Sequence, residues 1–197
     1  MSLKVVAGDV VFVRGQGVLQ RLIRWAETEP GEEATWANHV AVVVKAGWLV
    51  PPDPSERRGL AETVEALWRV EHNRWWNRHK ADKGCEVMVY RHGNMTPDQV
   101  EHVTRYAMNQ VGNKYGWWKL GVHLADRLIF GGKTRLSRWL CVDKRPICSY
   151  LVARAFEVVG IGFGMPAAVA TPDEQLDWCQ AEPPWQRVGA EAIFWVG

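Results

Sequence analysis

A cysteine stands two residues after a proline, at a point where the sequence predicts the start of a helix. The stretch is RPICSYLVARAF, and Cys148 belongs to the apolar stripe of a helix predicted over 146–159. Unpaired backbone N–H groups and the helix dipole favour a thiolate at such a position. A buried core thiol is the other interpretation, because free cysteines are among the most buried residues. Cys148 is therefore a candidate nucleophile with a structural alternative.

A nucleophilic cysteine needs a base, and the chain has six histidines. His39 opens the apolar run HVAVVV, which predicts a buried strand. A polar ring at the end of such a strand indicates either a base or a structural histidine with a hydrogen-bond partner. The remaining histidines lie in polar or mixed surroundings: His72, His79, His92, His102 and His123.

A third polar group would orient the imidazole of the base. The stretch AETVEAL offers Glu62 and Glu65 for this role. In a strand the two carboxylates would point to opposite faces, so that only one of them could face a site. In a helix both would be surface charges. The pattern over 60–70 fits either element.

The elements that would position these residues follow from periodicity and turn signals. Strands are predicted over 8–15, 86–93, 185–188 and 192–196, and a hairpin over 38–50. Helices are predicted over 17–31, 96–112, 146–159 and 171–178. Thr96, Pro97 and Gln99 form a capping box, and TPDE at 171–174 repeats it. We expect an α+β fold in which a small, mostly antiparallel sheet or half-barrel packs against helices.

Composition excludes several classes of protein. With 197 residues, 47% of them hydrophobic and 23% charged, we expect a single folded domain over 1–197. A net charge of +2 without a dense Lys/Arg tract argues against nucleic acid. No apolar run reaches the length of a membrane span, and residues 1–13 do not read as a signal peptide. A cytoplasmic or virion-associated protein is expected.

The sequence contains no pattern that indicates a metal or cofactor. The four cysteines form no CxxC pair, so reduced thiols are expected. Cys141 and Cys148 are seven residues apart and, with His39, would still lack a fourth zinc ligand. The stretch GGKT at 131–134 lacks the first glycine of a phosphate-binding loop and no strand precedes it.

The order of the motifs resembles a known family. GDVVFVRG, NHVAVVV, TVEAL, TPDQVEHVTRYAMNQVGNKYGWW, ICSYLVARAF and TPDEQL follow one another as in the circularly permuted branch of the NlpC-type papain-like cysteine hydrolases. That branch includes YiiX-like proteins and relatives of lecithin:retinol acyltransferase. The resemblance runs roughly from Gly8 to Leu176, and a Trp-rich segment at about 117–145 departs from it.

The resemblance implies a permuted papain-like (NlpC-type) fold and a role for each matching residue. Cys148 matches the nucleophile, His39 the base and Glu65 the third polar position, with Glu62 as the alternative if the register slips. Tyr115 matches an aromatic hydroxyl close to the thiol. Asp9 matches the acidic residue of the Gly-Asp turn, which is usually structural.

The activity implied is hydrolysis of amide or ester bonds through an acyl-thioester. Peptides, including those of cell walls, and lipid amides or esters are the substrate classes that this implies. An acyltransferase would use the same triad with another acceptor. The twelve tryptophans leave a second class open, a non-catalytic module that binds glycan or lipid and in which Cys148 is inert.

Overall fold

The computed structural model describes residues 2–28, 35–53, 55, 57–80, 82, 84–114, 147–189 and 193–194. Several residues named in the sequence analysis lie outside these ranges: Tyr115, His123, Cys141 and the segment 117–145, which includes GGKT.

Strands and helices are numbered in chain order. The strands are β1 (Leu3–Val5), β2 (Val10–Arg14), β3 (His39–Lys45), β4 (Gly47–Val50), β5 (Glu62–Ala66), β6 (Val70–Arg74), β7 (Glu86–His92), β8 (Trp185–Arg187) and β9 (Ile193–Phe194). The helices are α1 (Val18–Glu27), α2 (Trp75–His79), α3 (Pro97–Asn109), α4 (Cys148–Glu157) and α5 (Pro172–Ala181), with a 3-10 turn at Ala167–Val169.

Most of the strands form one antiparallel sheet. Within the described ranges it has seven strands in the order β6–β5–β3–β2–β7–β8, with β9 also pairing with β7. Each of these ladders is antiparallel. The predicted α+β class and the antiparallel sheet packed against helices are confirmed. Strands β1 and β4 pair with each other in a separate two-stranded sheet.

The central strands of the large sheet are buried on both faces. Along β2, Val10 and Phe12 face a core shared with α3, α4 and α5. The alternate residues Val11 and Val13 face a second core that includes Trp75 of α2 and residues of β1 and β4. Strands covered on both sides read as continuous apolar runs, which is the pattern of GDVVFVRG and HVAVVV.

The capped helices form as predicted. In α3 the Thr96 side chain accepts from the backbone of Gln99, whose side chain accepts in return from the Thr96 backbone. Thr171 and Glu174 make the same capping box at the start of α5. No helix within the described ranges is long and apolar enough to cross a membrane.

The predicted hairpin over 38–50 is wrong in its pairing. Both strands exist, but β3 is already bonded on its two edges by β2 and β5. Strand β4 therefore turns away and pairs with β1. At the start of β4 the backbone of residues 59–61 passes close to Gly47, where a Cβ would meet the carbonyl oxygen of Gly59 at 2.5 Å.

The ambiguous segment 60–70 is a strand followed by a turn. Glu62–Ala66 is β5, which pairs with β3 on one edge and β6 on the other. Pairing on both edges satisfies the backbone and overrides the helical preference of Ala, Glu and Leu.

Candidate active site

Neighbouring strands place His39 and Glu65 together. Glu65 lies opposite Ala41 in the β3–β5 ladder, and His39 stands two residues before Ala41, on the same face. The Nε2 atom of His39 lies 2.9 Å from Oε2 of Glu65. Glu65 is fully buried and the His39 side chain is 13% exposed. The imidazole is therefore held by a carboxylate that has no access to water.

The start of α4 brings Cys148 to the same point. Ile147 is the N-cap of α4 and Cys148 its first residue. Helix α4 packs against β3, and the Cys148 and His39 side chains hydrogen-bond to each other. Because Nε2 of His39 faces Glu65, Nδ1 is the ring nitrogen available to the sulfur. The backbone N–H groups of Val40 and Ser149 also act to lower the pKa of the thiol.

These contacts favour the charged form of both partners. Burial alone would raise the pKa of the Cys148 thiol, but the hydrogen bond and positive charge of His39 lower it below its ordinary value. Burial alone would lower the pKa of His39, but hydrogen bonds to Cys148 and Glu65 raise it to about 10. Relative to an isolated thiol and imidazole, the site therefore favours the thiolate–imidazolium pair over the neutral pair.

The two carboxylates of β5 have different surroundings. Glu62 points to the other face and pairs with Nζ of Lys45 and Nε2 of His72, each at 2.9 Å. Glu65 alone of the two reaches the imidazole of His39. Burial would raise the pKa of Glu65, but the neighbouring His79 and His39 hold it well below its usual range.

His79 belongs to this cluster and was not singled out by the sequence. Its Nε2 lies 3.2 Å from Oε1 and 3.0 Å from Oε2 of Glu65. Its Nδ1 lies 2.8 Å from Oδ2 of Asp82. The ring stacks on Trp75, with centroids 4.0 Å apart. Only the His79–Asp82 spacing is a local signal; the contact with Glu65 depends on the packing of α2 against the sheet.

Helix α5 holds both halves of the site. The carboxylate of Asp173 accepts from the backbone N–H groups of Trp36 at 2.7 Å and Ala37 at 2.9 Å, just before His39. Gln175 donates from Nε2 to the carbonyl oxygen of Ser149 at 2.8 Å. One helix thus fixes the approach to His39 and the first turn after Cys148.

The other charged and nucleophilic candidates lie elsewhere. Asp9 is buried and accepts from Nε and Nη2 of Arg91, each at 2.7 Å, and from the Val6 backbone at 2.8 Å. Burial raises the pKa of Cys85 to about 12 and also raises the pKa of Cys179. Asp9 therefore braces a turn, and these two cysteines are core thiols.

No three His, Cys, Asp or Glu side chains within the described ranges are arranged to hold a metal ion. The side chains of the site are instead connected in series by hydrogen bonds, and Glu65 lies between His39 and His79.

Comparison with known proteins identifies a similar fold. No family model and no curated protein matches this chain. Among solved structures, the crystal structure of the metalloprotein YiiX from Escherichia coli O157:H7 is similar, with a TM-score of 0.55 and 14% sequence identity. The match covers 94% of this chain and 97% of that one. At this identity the likeness establishes a YiiX-like fold alone.

Proposed function

We propose that this protein is a cysteine hydrolase that cleaves amide or ester bonds through an acyl-thioester on Cys148. The observation that carries the proposal is the hydrogen-bonded series from Cys148 to His39 to Glu65, with the sulfur at the first position of a helix. The same arrangement supports a permuted papain-like domain spanning 1–197. A triad depends on spatial geometry, so the order of its members along the chain can be inverted relative to papain.

In the acylation step the Cys148 thiolate attacks the substrate carbonyl carbon. A C–S bond forms and the carbonyl π electrons move to the oxygen. When the tetrahedral intermediate collapses, the bond from carbon to the leaving nitrogen or oxygen breaks. The leaving atom takes the proton of the His39 imidazolium, which becomes neutral. The products of this step are an acyl-thioester and a free amine or alcohol.

In the deacylation step neutral His39 removes a proton from water. The hydroxide oxygen bonds to the thioester carbon, the C–S bond then breaks, and the thiolate returns beside the protonated His39. Glu65 keeps the ring in place throughout. Backbone N–H groups at the start of α4 are suited to stabilise the oxyanion of both steps, and Tyr115 is the side chain that the family resemblance adds.

Peptide and cell-wall amides, followed by lipid amides or esters, are the proposed substrate classes. An acyltransferase would differ only in the second step, where another acceptor would replace water. A binding module would leave Cys148 unreactive, and this difference is directly measurable.

Alkylation by iodoacetamide as a function of pH tests the proposal. We expect Cys148 to react well below pH 8, because its thiolate is stabilised by His39. Cys85 and Cys179 are internal controls, since burial raises the pKa of both thiols. Peptide mapping by mass spectrometry assigns the label, and His39→Ala should move the reaction of Cys148 to higher pH.

Intact mass after incubation with amide and ester probes tests the chemistry itself. We expect one acyl adduct on the wild-type protein and none on Cys148→Ala. Rapid loss of the adduct in water indicates hydrolysis, and loss only with an added amine or alcohol indicates acyl transfer. A Cys148 that alkylates like an ordinary buried thiol and forms no adduct would refute the proposal in favour of the binding module.

A further inference from the structure

The surroundings of His79 are those of a charged imidazole. Each of its ring nitrogens faces a carboxylate oxygen, Nε2 towards Glu65 and Nδ1 towards Asp82. A neutral imidazole has one N–H group and one lone pair, so it would direct the lone pair at an anion. An imidazolium donates from both nitrogens. Only the protonated ring satisfies both contacts.

The stacking on Trp75 supports the same conclusion. The two rings lie 4.0 Å apart at an interplanar angle of 31°. A cation is stabilised over the face of an indole. Burial would lower the pKa of His79, but the charge of Glu65 and the hydrogen bond to Asp82 raise it.

Glu65 therefore has two cationic partners. Oε2 accepts from Nε2 of His39 at 2.9 Å and from Nε2 of His79 at 3.0 Å. Asn73 adds a weaker contact to Oε1 at 3.4 Å and bridges to Glu71. One negative charge is thus divided between two imidazolium rings.

We propose that His79 is a lasting imidazolium that shares the charge of Glu65 with His39, and so keeps His39 acidic enough to give its proton to the leaving group. This inference rests on the proposed function, since it concerns the proton that acylation requires. It assigns to His79, which does not touch the thiol, a role in setting the acidity of His39.

The electrostatic reason lies in the acylation step. Once the C–S bond forms, Cys148 no longer carries a charge and Glu65 is the anion left beside His39. A buried ion pair with one carboxylate would hold the imidazolium proton strongly. A second positive charge on the same carboxylate weakens that hold. The other charged groups around His79 are Asp82, which is 47% exposed, and Glu71 beyond Asn73.

The titration of His39 in a Cys148→Ala background tests this inference. That background removes the thiolate charge, as acylation does. We expect His79→Gln to raise the pH at which His39 loses its proton, by on the order of one unit. NMR of histidine-labelled protein follows the titration. His72→Gln is the matched control, because His72 pairs with Glu62 on the other face of β5 and should leave His39 unchanged.

A purely structural role predicts the opposite sign. If His79 only held Glu65 in place, its loss would displace the carboxylate and His39 would release its proton at lower pH. A downward shift or no shift in His79→Gln overturns the inference.

The wild-type protein provides a second test even if the variant does not fold. The ¹⁵N shifts of His79 should show both ring nitrogens protonated at pH 7, and a neutral His79 at that pH overturns the inference. These measurements need no substrate and do not depend on the reactivity of Cys148. A failure of this inference can therefore be distinguished from a failure of the proposed function, which the alkylation of Cys148 tests.

Discussion

Glu62 and Glu65 offer a matched comparison at the scale of single residues. They stand three positions apart on β5 and point to opposite faces. Glu65 is buried against His39, and Glu62 pairs with Lys45 and His72. The two side chains are chemically identical, and they differ only in their surroundings.

Replacing each glutamate by glutamine separates the roles. Glu65→Gln removes the anion that orients His39 and stabilises its charge. We expect a loss of kcat/KM between roughly 10²- and 10⁴-fold, the range of a positioned acid–base group. Glu62→Gln should change it by less than about twofold, because surface ion pairs contribute little. Steady-state rates on a probe that acylates Cys148 decide this, and equal losses in both variants would contradict the assignment of Glu65.

The sequence allowed part of the site to be predicted at this scale. Cys148 and His39 stand at the ends of strongly patterned elements, so their positions could be inferred from propensity and periodicity. The choice between Glu62 and Glu65 needed the strand register, which periodicity does not determine. His79 could not be found, because its partner Glu65 is brought to it by the packing of α2 against β5.

At the scale of elements, helix α5 holds the candidate site in position through hydrogen bonds. Asp173 stands just after Pro172 in α5, as Asp98 does after Pro97 in α3. Asp98 is exposed at its helix start, whereas Asp173 accepts from two backbone N–H groups of the segment that leads to His39. Both helices begin with the same capping box, but only in α5 does the aspartate also bond to a distant segment of the chain.

Alanine substitution at the two positions should have different effects on stability. Asp173→Ala leaves the N–H groups of Trp36 and Ala37 without their acceptor, which costs about 1–3 kcal/mol of the free energy of unfolding. Asp98→Ala removes a favourable charge at a helix start and costs at most about 1 kcal/mol. Urea unfolding measures both, and equal losses would show that the contact across the molecule contributes nothing.

The elements themselves were more predictable than their pairing. Capping boxes located α3 and α5 because the signal is local to a few residues. The hairpin over 38–50 failed because β3 already has a partner on each edge, and these partners come from 10–14 and 62–66. Strand pairing depends on residues distant in the chain, so patterns within a window cannot determine it.

At the scale of the whole molecule, the Cys148–His39 pair links stability to pH. The pKa of His39 rises from 6.5 to about 10, so its contribution is complete below pH 6.5 and lost as the pH rises through about 10. The pKa of Cys148 is lowered from 9.0, so its contribution is complete above pH 9.0 and lost as the pH falls through the folded value. Between pH 6.5 and 9.0 the two contributions therefore have opposite slopes: that of His39 decreases and that of Cys148 increases as the pH rises.

Removing the thiol should remove the contribution that increases with pH. In Cys148→Ala the stabilisation that the Cys148 thiolate adds as the pH rises towards 9.0 is absent. The difference in free energy of unfolding between wild type and Cys148→Ala should therefore grow with pH across this window. Urea unfolding at several pH values measures it. Cys85→Ala is the control: the pKa of its thiol is raised from 9.0 to about 12, so it stays largely protonated in both states up to about one pH unit below 9.0, and over that range its difference should be nearly constant. A constant difference for Cys148→Ala as well would mean that the thiol and the imidazole do not share a proton in the folded protein.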